Sequence, residues 1–314
     1  MLIMFNKLTN KNLGIVFAVL LILFAVLMLW DGQKGERTFR DTLVDIDTAD
    51  VTQILLYPKS QDHKEVRLFN EDGQWKVQLD SERTALVPHS KISNLYTQLM
   101  AIVPKRLAAR GQDKWTEFQV DSTATRVKVV EGGDTTLDLI IGRFSYQQQP
   151  RSMSTFVRLG NDIDIYEVDG FLEMTFNQSA NSFRDGSILK GDNTKWNQLS
   201  FDYPADSSFQ MIKVNNGWTA NFTNADSAKT ERYFRQITNM TSTEFFDDID
   251  EAQLPAPSYK LTIQNTDGNE FEINGYEIGD RFVIHSSTNP EAYFDGNKNK
   301  FKNKIFIGLN SVLP

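Results

Sequence analysis

The chain contains no cysteine and only three histidines among its 314 residues. Without cysteine there is no disulfide, no thiolate metal site, no cysteine nucleophile and no lipid-acylated cysteine. His63, His89 and His285 sit in unrelated contexts, each near a predicted turn or strand end. None has the clustered or i, i+4 partners that zinc ligation requires. The G-x-S-x-G elbow, H-E-x-x-H, the Walker A loop and G-x-G-x-x-G are also missing. Any nucleotide hydrolysis therefore belongs to another subunit, and no cofactor or metal is expected. A basic surplus is lacking too: 33 Lys and Arg face 41 Asp and Glu, for a net charge of −8. That balance excludes the phosphate-binding surface of a nucleic-acid binder and a polybasic grip on anionic lipid.

What the chain does have is one long apolar run, Leu13 to Trp30, with no charged residue. At helical rise it spans about 27 Å, close to the hydrocarbon thickness of a bilayer. In lipid its backbone must be satisfied internally, so it is read as a transmembrane helix. Leu13, Val16, Leu20, Leu23 and Leu27 are its anchoring side chains, and Trp30 suits the interfacial belt. The run is too long for a signal-peptide core and ends without a small-x-small cleavage site, so it is read as uncleaved. Lys7 and Lys11 precede it, whereas Asp31, Lys34, Glu36 and Arg37 follow. This bias places residues 1–12 in the cytoplasm and the rest outside.

Residues 31–40 form a polar tether, and strand signals dominate from Asp41 onward. Ile54–Tyr57 reads as a strand. Val66–Phe69, the turn Glu71–Gly73 and the alternation Trp75, Val77, Leu79 read as a hairpin. Ile92, Leu95, Leu99 and Ile102 then recur at helical spacing behind Ser90. Lys105, Arg106 and Arg110 follow and are read as cations complementing that helix's C-terminus. A second hairpin turns at Glu131–Asp134. A glutamine-rich loop (Ser145–Ser154), the strands Phe156–Leu159 and Ile163–Val168 and a closing segment to Arg184 complete the first plan.

The plan then repeats. Leu199–Tyr203 matches the first strand, and Asn216-Gly217 supplies a hairpin turn. Trp218, Ala220 and Phe222 follow Trp75, Val77 and Leu79 at one constant offset. Tyr233 and Ile237 follow Leu95 and Leu99 at another. Leu261, Ile263, Phe271 and Ile273 track Val127, Val129, Leu137 and Leu139. Phe282-Val283 tracks Phe156-Val157, and Tyr293 tracks Tyr166. Persistent order and local register indicate a duplication. The expected fold is α+β: the transmembrane helix 13–30, then two tandem, similar β-rich lobes, 41–190 and 191–314. Each lobe has antiparallel hairpins and one main amphipathic helix.

Acidic groups stand at Asp247–Glu251 and Asn161–Glu167; the Asn265–Glu270 and Asp295–Asn297 segments carry oxygen ligands for calcium but miss the calcium-loop spacing and read as turns. The stretch Phe144–Met153 is the most unusual. Its Arg143, Phe144, Tyr146 and Arg151 form a candidate partner-binding loop.

TFRDTLVDIDTADVTQILLYPK, GQWKV, PKRLAAR, DSTATRVKVVEG, IIGRF, TFVRLGNDIDIYEVDGFL and NSFRDGSIL resemble the Domain of Unknown Function 4340 family over about residues 38–190. The second copy is similar more weakly. The resemblance implies a membrane-anchored bacterial envelope component, like those accompanying gliding-motility-type ABC transporters. It assigns no catalytic residue. The expectation is a non-catalytic, single-pass inner-membrane subunit with a periplasmic domain, partnered by an ABC-type permease and its ATPase. An envelope glycan or lipid enzyme with paired carboxylates and an assembly factor for another envelope protein are the alternatives.

Overall fold

A computed structural model of the protein describes residues 17, 19, 20, 40–149, 151–215 and 217–314. Alternating apolar positions, broken by turn residues, build two large antiparallel sheets with few helices. The strands are β1 (Val51–Tyr57), β2 (Val66–Glu71), β3 (Gln74–Gln78), β4 (Thr84–Leu86), β5 (Pro104–Arg110), β6 (Thr125–Glu131), β7 (Asp134–Gln148), β8 (Arg151–Leu159), β9 (Asp164–Asp169) and β10 (Ser187–Leu189). They continue with β11 (Trp196–Asp202), β12 (Phe209–Val214), β13 (Gly217–Ala220), β14 (Thr223–Asn224), β15 (Met240–Thr241), β16 (Tyr259–Asn265), β17 (Glu270–Ile278), β18 (Arg281–Ser286) and β19 (Asn289–Asp295). Among the described residues the two longest helices are α1 (His89–Met100) and α2 (Ser227–Ile237).

Among the described residues no helix is long and apolar enough to cross a membrane. The predicted anchor Leu13–Trp30 lies outside the described residues, apart from Phe17, Val19 and Leu20, which are helical and exposed.

The chain divides into two compact units. The larger comprises Ile46–Gln98, Thr125–Thr136 and Leu172–Pro314. It holds the strand run β4-β3-β2-β1-β6 and the eight-stranded sheet β14-β13-β12-β11-β16-β17-β18-β19. The second sheet packs its apolar face into a core that includes Trp196, Phe201, Tyr233, Phe294 and Ile305, all buried. Phe201 stacks on Phe209 with ring centroids 4.2 Å apart. The smaller unit comprises the described part of Met1–Asp45 with Leu99–Ala124 and Leu137–Phe171. There β8 pairs with β7 and β9, and β9 pairs with β5, around a core of Phe118, Val120, Ile140, Phe156 and Ile165.

The strand run β4-β3-β2-β1-β6 recurs as β14-β13-β12-β11-β16, down to register. Leu68 pairs with Val77 as Met211 pairs with Ala220, and Ile54 pairs with Val129 as Leu199 pairs with Ile263. Even the register break between Val51 and Gln53 reappears between Trp196 and Gln198. A bulge costs a ladder bond and bends the strand, so its recurrence at one position carries more weight than two similar hairpins do. The helices match as well: Ile92, Leu95 and Leu99 are buried on α1, and Thr230, Tyr233 and Ile237 on α2.

At the last strands the expected correspondence shifts by one residue. Ile141 pairs with Val157 and Val157 with Tyr166; the equivalent pairs are Gly275 with Ile284 and Ile284 with Phe294. Val157 thus matches Ile284, and Tyr166 matches Phe294, where aromatic identity alone had suggested Tyr293. Phe222 also departs from the predicted alternation. β13 ends at Ala220, and Asn221 and Phe222 make the turn with φ of 44° and 67°.

Two segments take a different form from the one expected. Lys105, Arg106 and Arg110 do not flank a helix end, because α1 stops at Met100 and they stand on β5. Their charge is matched across the ladder by Asp169, Glu167 and Asp164 of β9. The glutamine-rich stretch is no loop. Phe144 pairs with Thr155, Tyr146 with Met153 and Gln148 with Arg151, which extends β7 and β8 into a long hairpin.

Candidate functional site

The larger unit carries a groove of about 570 Å³. One wall begins at the β2–β3 hairpin, where Gly73 takes the left-handed conformation (φ 82°) and Asn70 Oδ1 accepts its N–H at 3.0 Å. After β3 the chain reverses on Asp80, whose carboxylate accepts hydrogen bonds from the Glu82 and Arg83 amides at 3.0 and 2.9 Å. Arg83 Nε adds a third at 2.7 Å. The Arg83 guanidinium is the main reason the Asp80 carboxyl is pulled down to about 2, with those two amides adding to it.

This turn delivers β4 to the edge of its sheet. Val87 N–H donates to Trp75 C=O at 2.8 Å, and Ala85 sits opposite Val77. The alternation of an antiparallel ladder then turns the N–H and C=O of Thr84 and Leu86 away from β3, into the groove. The Leu86 side chain is 47% exposed. Trp75, buried and edge-on to Tyr96 at 6.3 Å, lies beside it, and His89 opens α1 at the exposed end.

The opposite wall is fixed by polar contacts to buried groups. Lys91 of α1 donates to the Ser182 and Arg184 carbonyls at 2.6 and 2.7 Å, and burial lowers its pKa. The Arg184 side chain, only 8% exposed, reaches Asp247 at 2.8 Å and lies 3.7 Å from the Phe245 ring centroid. Its charge is therefore neutralised inside the wall. Asp185 Oδ1 accepts from Ser187 N–H at 2.9 Å, and its carbonyl accepts from Asn289 Nδ2 at 2.8 Å. Asn289 starts β19, which brings Pro290, Glu291 and Ala292 to the groove. The Thr288 hydroxyl there is buried and has no hydrogen-bond partner.

Of the candidate loop residues, Arg143 and Phe144 are drawn into packing. The Arg143 guanidinium lies 5.2 and 4.8 Å from the Phe118 and Phe156 centroids, and its buried Nε has no hydrogen-bond partner. Phe144 lies 4.7 Å from the Phe171 ring. Tyr146 and Arg151 stay exposed on one face of the hairpin, and Pro150 lies outside the described residues. The groove itself was not foreseen. Its residues come from segments distant in sequence, from Gly73–Trp75 through Arg184 to Pro290–Ala292.

Several of the acidic residues singled out in the sequence serve structure. Asp248 grips Arg281 through two bonds of 2.6 and 2.9 Å, and Asp250 caps a short helix by accepting from Ala252 N–H. Asn265 accepts from the Asp267 and Asn269 amides, so Asp267-Gly268 forms the expected turn. His285 lies next to the end of β18, stacked on Tyr293 at 4.8 Å. Among the described residues no group of three or more His, Cys, Asp or Glu could hold a metal ion.

The sequence profile of the family described as a domain of unknown function (DUF4340) matches residues 78–261, and the chain belongs to that family. The match starts within β3 and runs into β16, so it covers parts of both copies of the repeated plan rather than the first alone. No curated protein and no solved structure matches the chain.

Proposed function

We propose that the protein is a single-pass, membrane-anchored accessory or binding subunit of an ABC-type envelope transport complex in the bacterial inner membrane. Residues 13–30 form its anchor, residues 1–12 lie in the cytoplasm, and the domain beyond the 31–40 tether is periplasmic. Two tandem lobes, 41–190 and 191–314, arose by duplication, and the repeated registers and bulge support that history. Its partners are the complex's permease and ATPase.

The observation that carries a binding role is the groove. Arg184 is tied to Asp247 and Asp185 to Ser187, so these groups shape the wall. What faces outward is apolar surface and the backbone of a strand edge, the features that hold a partner segment. The transport setting rests on the apolar run, the acidic composition and the resemblance. On the hairpin, the exposure of Tyr146 and Arg151 supports a role for these side chains in partner contact.

Two experiments test the reading. A phosphatase fused to the C-terminus should be active in membrane-bound, full-length protein; activity only for a cytoplasmic reporter at that end would refute the orientation. Purification of the tagged chain in mild detergent should bring the permease and ATPase along.

A further inference from the structure

We infer that the groove between β4 and the start of β19 binds an extended, cationic segment of a partner protein by strand addition to the β4 edge. This inference rests on the binding reading above and gives it a surface and a ligand chemistry.

The first support is the edge itself. β4 ends its strand run, and its pairing with β3 uses the backbone of Ala85 and Val87. Thr84 and Leu86 therefore present donors and acceptors toward the groove with the spacing an added strand needs. A strand laid there places alternate side chains against Leu86 and Pro290, both exposed apolar groups.

Charge supplies the second support. The Arg184 cation is cancelled by Asp247 within the wall. Lys91 likewise faces Asp185, so exposed Glu291 is the lining's uncompensated carboxylate, with exposed Asp72 next to Gly73 at the tip of the β2–β3 turn. A segment alternating apolar and Lys or Arg residues meets both features. An acidic segment meets like charge, in keeping with a chain of net charge −8.

The test uses the full-length protein in mild detergent and two capped peptides, Val-Lys-Val-Lys-Val and Val-Glu-Val-Glu-Val. Calorimetric titration should show saturable binding of the lysine peptide and at least about tenfold weaker binding of the glutamate peptide. Hydrogen exchange at the Thr84 and Leu86 amides should slow when the lysine peptide binds. Leu86→Pro removes a donor that β3 does not use, so it should abolish binding with an unchanged unfolding midpoint. Glu291→Lys, which leaves the backbone intact, should erase the charge preference. Equal binding of both peptides, no binding of either, or lysine-peptide binding unaffected by Leu86→Pro would overturn the inference. Self-association lost in Leu86→Pro would overturn it in favour of a second copy of this chain. A transporter complex that purifies intact while no peptide binds would refute the groove assignment alone. Peptide binding by a chain that purifies by itself would refute only the transport setting.

Discussion

Arg184 Nη1 lies 2.8 Å from Asp247 Oδ1, while its guanidinium covers the Phe245 ring. Arg184 sits at the end of the first copy of the repeated plan, and Asp247 on the acidic stretch of the second. The pair is one of three arginine contacts that secure residues 245–248. Arg83 donates to the Asp247 carbonyl, and Arg281 grips Asp248 above the Phe246 ring.

Truncating the anchor of that cluster should be costly. Arg184→Ala leaves Asp247 unpaired and Phe245 uncovered, and a loss of about 3 kcal/mol is expected in urea unfolding. Replacing both partners by apolar residues of similar size, as in R184M with D247L, should cost less than either truncation. A double variant at least as unstable as R184A would show that the charge pair itself is what stabilises the wall.

Phe222 should be replaceable with a gain. It is fully exposed and holds φ at 67°, a conformation that costs a non-glycine residue about 1 kcal/mol or more. Phe222→Gly buries nothing less and relieves that strain. Its unfolding free energy should rise by roughly 0.5–1 kcal/mol, and a fall would show that the ring packs in solution.

Alkaline pH should weaken the larger unit. Burial pushes the Tyr96 phenol up to about 12 and raises those of Tyr203, Tyr233 and Tyr276 as well. An unfolded tyrosine ionises near 10, so above that pH the unfolded chain releases protons that the folded one keeps. The stability is fully present below pH 10 and is lost as pH rises toward the folded values. Urea midpoints should be flat with respect to these groups below pH 10 and fall beyond it; phenol ionisation at 10 in folded protein would contradict the burial account.

Arg143 should behave as a packing residue. Arg143→Leu gives up contact with two rings but also removes a buried Nε without a partner, so the net change should stay within about 1 kcal/mol. Tyr146→Ala and Arg151→Ala, at exposed sites, should change stability by about 0.5 kcal/mol or less. A large loss in either would place them in the fold and not on a binding face.

Much of the first sheet was legible because its signals are local. The Glu71–Gly73 turn, the Trp75–Val77 alternation and the Ile92, Leu95, Leu99 stripe each fit within one element, and all lie where they were expected. β5 was misread because Pro104 follows a real helix, and the cations after it fit a helix end as well as a strand. Their partners on β9 are more than fifty residues away in sequence. The long β7–β8 hairpin was hidden by glutamine and serine, which have no strand pattern of their own and are held by pairing. The groove was invisible for the same reason. Its chemistry lies in backbone direction and in contacts such as Asn289 to Asp185.

The most direct test of the central claim is the native mass of the full-length protein released from membranes in mild detergent. The account predicts an assembly in which this 35.9 kDa chain is joined in fixed ratio by a permease and an ATPase. A lone chain at its own mass, under conditions that keep other transporters intact, would contradict it.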